Sequence, residues 1–198
     1  MAAHAFLSAS SSHRWMNCPP SAKLCADKKD RASEFALQGT DAHSLCEHKL
    51  KKAIGMKSRN PTNNLTYYDE EMEQCAEEYA QYCSSVVEEV KKVCKDPVVL
   101  IEQKLDFSKY VPEGFGTGDC VIIGDGTLYV IDYKHRKGVE VHADNNSQMM
   151  CYALGALNLF GGIYDITEVS MKIFQPRREN VSTYSMTKEE LLSWAEEV

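Results

Sequence analysis

The segment 119–134 constrains the fold of this chain more than any other. Asp125-Gly126 lies between two runs rich in β-branched and other apolar residues, CVIIG before it and TLYVI after it. An Asp-Gly pair in that setting is the strongest short signal for a hairpin with a two-residue turn. Counting outward from such a turn pairs the two strands residue by residue and places Asp119 opposite Asp132.

This pairing brings two carboxylates and an amine to one patch. Directly opposed residues of an antiparallel pair have Cβ atoms roughly 4.5–5.5 Å apart on the same face, so two aspartates there repel each other. A divalent cation reverses that sign, because Mg²⁺ and Mn²⁺ take carboxylate, water and phosphate oxygens as ligands. Lys134 shares the face of Asp132, since side chains alternate with a period of two. These are the groups that metal-assisted phosphodiester hydrolysis needs.

A surface hairpin with a charge cluster at its open end is the alternative interpretation. The run YVI (129–131) argues against it, because a strand that is apolar on both faces is typical of a covered sheet. Charges at the end of such a strand favour a site. From the residues alone, the hairpin therefore predicts a metal site.

The remaining elements follow from periodicity and from helix start and stop signals. The first thirty or so residues are predicted to be irregular. The other predicted elements are a helix from about Ser33 to Ile54, a helix from about Tyr68 to Lys95, a strand from Val98 to Leu105, the hairpin, a helix from Asn145 to Phe160, a strand from Val169 to Phe174, and a last helix opened by a Thr187–Glu190 capping box. This order predicts a single α/β domain over residues 1–198, with a small mixed central sheet flanked by helices. The last helix reaches Val198 without a stop signal, which predicts either a longer chain or a packing partner for that helix.

Composition narrows the function classes. The formal net charge of -7 argues against broad, nonspecific coating of nucleic acid, although an acidic metal site with a few local basic contacts fits it. We expect a cytoplasmic protein with no membrane partner, because no apolar run approaches the roughly 20 residues of a membrane span and the N-terminus lacks a signal-peptide pattern. The eight cysteines contain no C-x-x-C pair, so we interpret them as reduced, buried small hydrophobes.

Four motifs, taken in order, resemble the RecB-like branch of the PD-(D/E)XK nucleases. They are Gly39-Thr40-x-x-His43-x-x-x-Glu47, Gly116-Thr117-Gly118-Asp119, Asp132-Tyr133-Lys134 and Gln148-x-x-x-Tyr152. The likeness covers about residues 5–178 and is greatest to exonucleases encoded by phages and prophages. It implies a restriction-endonuclease-like core over about residues 34–178 and a DNA nuclease that uses Mg²⁺ or Mn²⁺.

The resemblance also implies a role for each motif residue. The metal ligands it implies are Asp119, Asp132, the backbone carbonyl of Tyr133 and, from the first long helix, His43. Lys134 would orient or activate the attacking water. Gln148 and Tyr152, one turn apart on a helix face, would position Lys134 and the scissile phosphate. Without the motifs, His43, Gln148 and Tyr152 would pass as ordinary helix residues.

Residues beside the motifs are open to two interpretations. Glu102 interrupts an apolar run, and related exonucleases place a carboxylate on this strand, so it is either a further metal ligand or an edge-strand residue paired with Lys104. Basic residues that follow two of the strands either contact the DNA backbone, which positions DNA without reading its sequence, or are simply solvated. These basic residues are Arg136, Lys137, Arg177 and Arg178.

Some RecB-like exonucleases bind an iron–sulfur cluster through one upstream cysteine and three near the C-terminus. Cys18 could stand for the first, but no cysteine follows Cys151, so we do not expect a cluster. The resemblance implies an exonuclease of a phage recombination or repair module, with DNA and a recombination protein as partners. A structure-specific or restriction-type endonuclease is one alternative, and a non-catalytic DNA- or partner-binding module is another. The intact Asp119, Asp132 and Lys134 favour an enzyme, and the acidic charge keeps the binding module open.

Overall fold

The computed structural model describes residues 5–26 and 33–198. The helices in these ranges are α1 (Ser12–Asn17), α2 (Pro20–Ala26), α3 (Glu34–Ala53), α4 (Glu70–Lys91), α5 (Ser147–Phe160) and α6 (Lys188–Glu197). The strands are β1 (Val98–Asp106), β2 (Phe115–Gly124), β3 (Thr127–Tyr133), β4 (Glu168–Gln175) and β5 (Asn180–Thr187). The fold is therefore mixed α/β, as the sequence predicts.

These five strands form one mixed sheet in the order β1-β2-β3-β4-β5. β3 and β4 are parallel, with α5 as the crossover between them, and the other neighbours are antiparallel. The predicted two-residue turn between β2 and β3 is confirmed. Asp125 and Gly126 have φ values of 50° and 75°, which a type I′ turn requires at both central positions. The ladder follows the predicted register from Gly124–Thr127 to Cys120–Ile131, so Asp119 and Asp132 are the next residues along the two strands.

Helices cover both faces of the sheet. Val121 and Ile123 of β2 belong to a core formed with α1, α5 and α6, whereas Cys120 and Ile122 belong to a core formed with α3 and α4. β2 and most of β3 are consequently buried on both sides, as the apolar run in β3 predicts. Polar side chains next to these buried segments therefore lie inside the protein and not on a surface hairpin.

Three elements were not predicted. α1 and α2 lie in the segment predicted to be irregular, and they are too short to show an apolar repeat. Trp15 anchors α1 by packing into the core and donating its indole N–H to the Ser8 carbonyl at 3.0 Å. β5 is an edge strand in which half-buried and exposed residues alternate, but its first two half-buried residues are polar and its apolar Val181 is exposed, so the sequence shows little of the apolar alternation that marks a half-buried strand.

Two further observations bear on the expectations from composition. Five of the eight cysteines are buried, and Cys18 is exposed. Across residues 5–26 and 33–198, none of the helices is long and apolar enough to cross a membrane.

Close contact between α5 and β1 gives a testable prediction. A Cβ added at Gly155 would lie 2.8 Å from Leu105 Cβ and 3.0 Å from its carbonyl carbon, atoms that cannot rotate away. We therefore expect Gly155→Ala to lower the free energy of unfolding by about 1–3 kcal/mol. Gly39→Ala is the matched control inside α3. No described atom lies within 4 Å of a Cβ added there, so the gain in helix propensity should raise stability by about 0.5–1 kcal/mol. Urea denaturation of both variants measures the two signs, and a neutral Gly155→Ala would contradict the close packing.

Candidate metal centre

Two buried carboxylates stand at the open end of the β2–β3 hairpin. Asp119 and Asp132 are only 7% and 2% exposed. Asp119 lies two residues before Val121 in β2, and Asp132 lies two residues after Val130 in β3. Val121 and Val130 both pack on the α5 side of the sheet, so the two aspartates point to that side as well. Asp119 Oδ2 accepts a hydrogen bond from the backbone N–H of Tyr133 at 2.7 Å, which fixes the carboxylate against β3. The backbone of the hairpin thus holds the Asp119 carboxylate in place.

α3 brings a histidine to these carboxylates from the other side of the sheet. His43 Nδ1 lies 3.2 Å from Asp119 Oδ1, and its ring packs edge-on against Tyr133 at 5.6 Å between centroids. Glu102 of β1 completes a trio. One ligand atom each from His43, Glu102 and Asp119 lies within 4.8 Å of the other two. Ligands about 2.0–2.6 Å from a shared divalent ion can span that distance.

Glu102 reaches this position through an unusual backbone conformation. Its φ is 53°, although it lies inside β1 between the regular pairs Ile101–Cys120 and Gln103–Gly118. A non-glycine residue in the left-handed region costs on the order of 1–3 kcal/mol and persists only where its surroundings hold it, commonly at functional sites. The alternative pairing with Lys104 is not formed among the described residues, and the Lys104 amine instead lies 4.5 Å from the centre of the Phe115 ring.

A second set of groups, on β3 and α5, surrounds Asp132. Lys134 Nζ lies 2.8 Å from Asp132 Oδ2 and donates to Gln148 Oε1 at 2.9 Å. Gln148 Nε2 in turn donates to the Tyr152 hydroxyl at 3.0 Å and to Asp132 Oδ1 at 3.4 Å. α5 begins at the right place because the Asn146 side chain caps it by accepting the Gln148 N–H. Lys134, Gln148 and Tyr152, to which the family resemblance assigns the positioning of the attacking water and the scissile phosphate, therefore form one connected network.

One buried oxygen in this network suits a cation. Asp132 Oδ2 is buried, and the Lys134 amine lies 2.8 Å from it, at ion-pair distance. A buried carboxylate destabilises a fold unless a charge or a hydrogen bond compensates it, and here the ammonium of a lysine already does so. The donor set beside it, one imidazole and two further carboxylates, consists of ordinary ligands for divalent metals. The residues present therefore fit a bound metal ion.

The charges of the site describe its metal-free state. Burial alone would lower the pKa of His43, but the Asp119 carboxylate outweighs it and raises that pKa to about 9. Burial disfavours the charged form of Asp119 too, yet His43 and the Tyr133 N–H hold its pKa below the usual value. Burial, reinforced by Asp119, raises the pKa of Glu102 to about 8. The same two causes raise the pKa of Asp132 despite Lys134. His43 is consequently protonated at neutral pH without a metal, and a divalent ion has to displace that proton, together with those favoured on Glu102 and Asp132, in order to bind these groups.

Comparison with known proteins places the chain in a family. Residues 4–198 match the family described as "Protein of unknown function (DUF2800)". The chain belongs to this family. It is also similar to a solved structure titled "Crystal structure of SSO0001", with 13% sequence identity, a TM-score of 0.29, and coverage of 81% of this chain and 85% of that chain. A TM-score of 0.29 does not establish a common fold.

Tyr133 contributes to the centre of this DUF2800 protein through its backbone N–H, and the predicted role of its carbonyl as a ligand stays a prediction. Its side chain packs in the core beneath α3 and α4, where its hydroxyl lies 2.8 Å from His135 Nδ1. Glu47 of the leading motif pairs with Lys51, one turn further along α3, rather than with His43.

The four basic residues predicted to contact DNA have different surroundings in the DUF2800 chain. Lys137 and Arg177 both pair with Glu71 of α4, at 2.7 Å and 2.8 Å. Arg177 is largely buried and also contacts the His135 carbonyl at 3.5 Å. The Arg178 guanidinium lies 3.6 Å from a glutamate of the loop between β3 and α5. Arg136 is exposed, and it is in none of the ion pairs that the described residues form.

Sequence reasoning missed Gln175, the last residue of β4. It is fully buried, its Oε1 accepts the Val141 N–H at 3.1 Å, and its Nε2 donates to the carbonyls of Arg136 at 2.8 Å and Val139 at 3.1 Å. Gln175 thus fixes the loop 134–142, the first part of the connection between β3 and α5. The only sequence signal was a polar residue that ends an apolar strand before Pro176.

The candidate metal centre of this DUF2800 protein is open to solvent through a cleft. A cavity of about 430 Å³ is lined by residues that include Asp119, Asp132 and Tyr152. It shares His43 and Glu102 with a larger cavity of about 970 Å³ that runs along α3 and the loop 134–142. The buried carboxylates are therefore accessible along this cleft.

Proposed function

We propose that this chain is a divalent-metal-dependent DNA nuclease of the PD-(D/E)XK superfamily, and that it acts as an exonuclease in a phage recombination or repair module. The observation that carries the proposal is the trio of His43, Glu102 and Asp119 within 4.8 Å, in one cleft with Asp132 and its ion-pair partner Lys134. The mixed sheet with helices on both faces is compatible with a restriction-endonuclease-like core. The order of the four sequence motifs supports that core further.

In this proposal the trio and Asp132 would hold Mg²⁺ or Mn²⁺. When bound, the ion supplies an activated water and neutralises charge that develops on the phosphate. The Lys134 ammonium is fixed between Asp132 Oδ2 and Gln148 Oε1, so it can orient the water or stabilise the departing oxygen without searching for a position. Tyr152 holds the Gln148 amide through its hydroxyl, which keeps the amide oxygen turned toward the lysine, a group with donors only.

An enzyme is favoured over a binding module by features that cost stability. Glu102 has a strained backbone, and Asp132 is a buried carboxylate with a raised pKa. Perturbed acidic groups that converge in a cleft are typical of active sites. A module that only contacts phosphates needs none of them. An endonuclease on the same site remains the alternative within enzymes.

The test is a cleavage assay on labelled linear single-stranded, linear duplex and circular DNA, each with Mg²⁺, with Mn²⁺ and with EDTA. We expect metal-dependent loss of the linear substrates and survival of the circles, as an exonuclease needs an end. Cleavage of circles would replace exonuclease with endonuclease. Binding without cleavage in both metals would contradict the proposal in favour of the binding module.

A further inference from the structure

Two exposed apolar side chains flank the cleft that leads to the metal centre. Phe35, in the first turn of α3, is 68% exposed, and Val139, in the loop 134–142, is 83% exposed. Both line the cavity of about 970 Å³ that also contains His43 and Glu102. Large apolar groups left in water beside a site are typical of a surface that contacts a ligand with an apolar face.

The backbone around Val139 is held by a buried side chain. Gln175 binds the backbone of Arg136, Val139 and Val141 from below, through three hydrogen bonds of 2.8–3.1 Å. The loop therefore presents Arg136 and Val139 to the cleft in a fixed arrangement. Arg136 lines the same cavity, and its guanidinium is the member of the basic set that has no carboxylate partner among the described residues.

We propose that this cleft binds single-stranded DNA, with an unpaired base against Phe35 and Val139 and a backbone phosphate on Arg136. The inference rests on the proposed nuclease function and names the substrate of that site. The base faces of a duplex are covered by their stacked neighbours, whereas a single strand can turn a base onto an aromatic ring. Phe35 and Val139 thus have a partner in a single strand that an intact duplex does not offer.

Charge points the same way. A protein that holds a duplex through its phosphates commonly makes about 6–10 such contacts. This chain has a net charge of -7, and Lys137 and Arg177 beside the cleft are already paired with Glu71. With Arg136 as the cation available at the cleft wall, most of the affinity must come from base stacking. That balance suits a single strand, which lies along the cleft with few phosphate contacts.

The experiment measures binding separately from cleavage. Fluorescence anisotropy in EDTA compares a short labelled oligothymidine with a blunt hairpin duplex that has the same number of phosphates. We expect the single strand to bind more tightly, and Phe35→Ala to weaken that binding by about 5- to 100-fold, the effect of one stacked base. Arg136→Ala should reduce the slope of log K against log salt concentration by about 0.7, the value for one phosphate contact with a single strand.

Matched controls are available on other surfaces. Ile163 is 73% exposed beyond the far end of α5, and Arg59 is exposed in the segment after α3 and is not part of the cleft lining. Ile163→Ala and Arg59→Ala should bind like wild type. Because Phe35 and Arg136 are exposed, their variants should melt at the wild-type temperature, which excludes unfolding as the cause.

The outcomes separate this inference from the proposed function. Equal or tighter binding of the duplex, or unchanged binding by Phe35→Ala, overturns the single-strand inference even if wild type cleaves DNA with Mn²⁺. Selective single-strand binding that Phe35→Ala weakens supports the inference even if no metal produces cleavage, and in that case the nuclease proposal fails.

Discussion

Asp119→Asn should abolish both DNA cleavage and metal-dependent stabilisation. Asp119 belongs to the trio with His43 and Glu102 and is also bound to the backbone of the hairpin. A neutral amide at this position removes a charged ligand from the site. Substitution of groups that merely support a ligand commonly costs 10- to 100-fold in affinity or activity, so loss of the ligand should cost more than about 100-fold. Wild type should gain about 2.7 kcal/mol of stability at a hundredfold excess of metal over its Kd, and the variant should gain almost none.

Without metal, Asp119→Asn and Asp132→Asn should have different effects on the free energy of unfolding. The sequence alone predicts that Asp119→Asn relieves repulsion and leaves the protein no less stable. The structure changes that expectation, because His43 and the Tyr133 N–H lower the pKa of Asp119 and the folded state therefore favours its charged form. Asp119→Asn should thus destabilise the metal-free protein. Asp132 has a raised pKa, so the folded state disfavours its charge, and Asp132→Asn should be no less stable than wild type.

Melting curves with and without Mn²⁺, beside the cleavage assay, measure these effects. Asp125→Asn is the control, since it makes the same chemical change at the other end of the same hairpin, where φ is 50° and Asn is well tolerated. That variant should keep wild-type cleavage and the full metal response. Wild-type cleavage by Asp119→Asn would remove the metal centre as the explanation for this hairpin.

The parts of the fold that the sequence predicts are those that depend on local patterns. The Asp125-Gly126 turn determines the register of β2 and β3, and that register alone brings Asp119 and Asp132 to neighbouring positions. The long helices α3, α4 and α5 follow from apolar residues at helical spacing and from capping residues. β5 was missed because its partner β4, rather than an apolar alternation of its own, makes it a strand.

Other parts of the site depend on contacts that no local pattern contains. The approach of His43 to Asp119 needs α3 to pack across the end of the sheet, and only the family resemblance suggested it. The left-handed backbone of Glu102 cannot be seen in a run that otherwise reads as a regular strand. Gln175 and the Glu71 pairs with Lys137 and Arg177 join segments far apart in the chain. These contacts decide which basic residue at the cleft has no carboxylate partner among the described residues, and the sequence alone could not identify it.

Lys134→Met should reduce cleavage strongly while the metal response remains. The Lys134 amine is held 2.8 Å from Asp132 Oδ2 and 2.9 Å from Gln148 Oε1, which places its charge beside the metal centre without making it a ligand. A positioned proton donor or acceptor contributes about 10²- to 10⁴-fold to a rate, and we expect a loss of that size. Met preserves the length and the apolar stem of the side chain, so the change removes little besides the ammonium.

Thermal stability is the second measurement for Lys134→Met. The metal-free variant should be less stable than wild type, whereas its stabilisation by metal should be retained. Without the ammonium, Asp132 is a buried carboxylate that has lost its ion-pair partner, so the metal-free variant should be less stable than wild type at neutral pH. A divalent ion compensates the same charge, so the rise in melting temperature on adding Mn²⁺ should be at least as large as in wild type. Lys172→Met is the control, because Lys172 lies half-buried on the adjacent strand β4 and burial alone lowers its pKa. That variant should cleave DNA at the wild-type rate.

Single-turnover rates at saturating DNA and Mn²⁺ separate these possibilities, because weaker substrate binding cannot lower a rate measured at saturation. A rate loss together with a retained melting shift assigns Lys134 to the chemical step, beside the ion rather than on it. Loss of the melting shift would instead mean that Lys134 builds the metal site, by holding Asp132 in its charged form. A wild-type rate would contradict a role for the ammonium in either step.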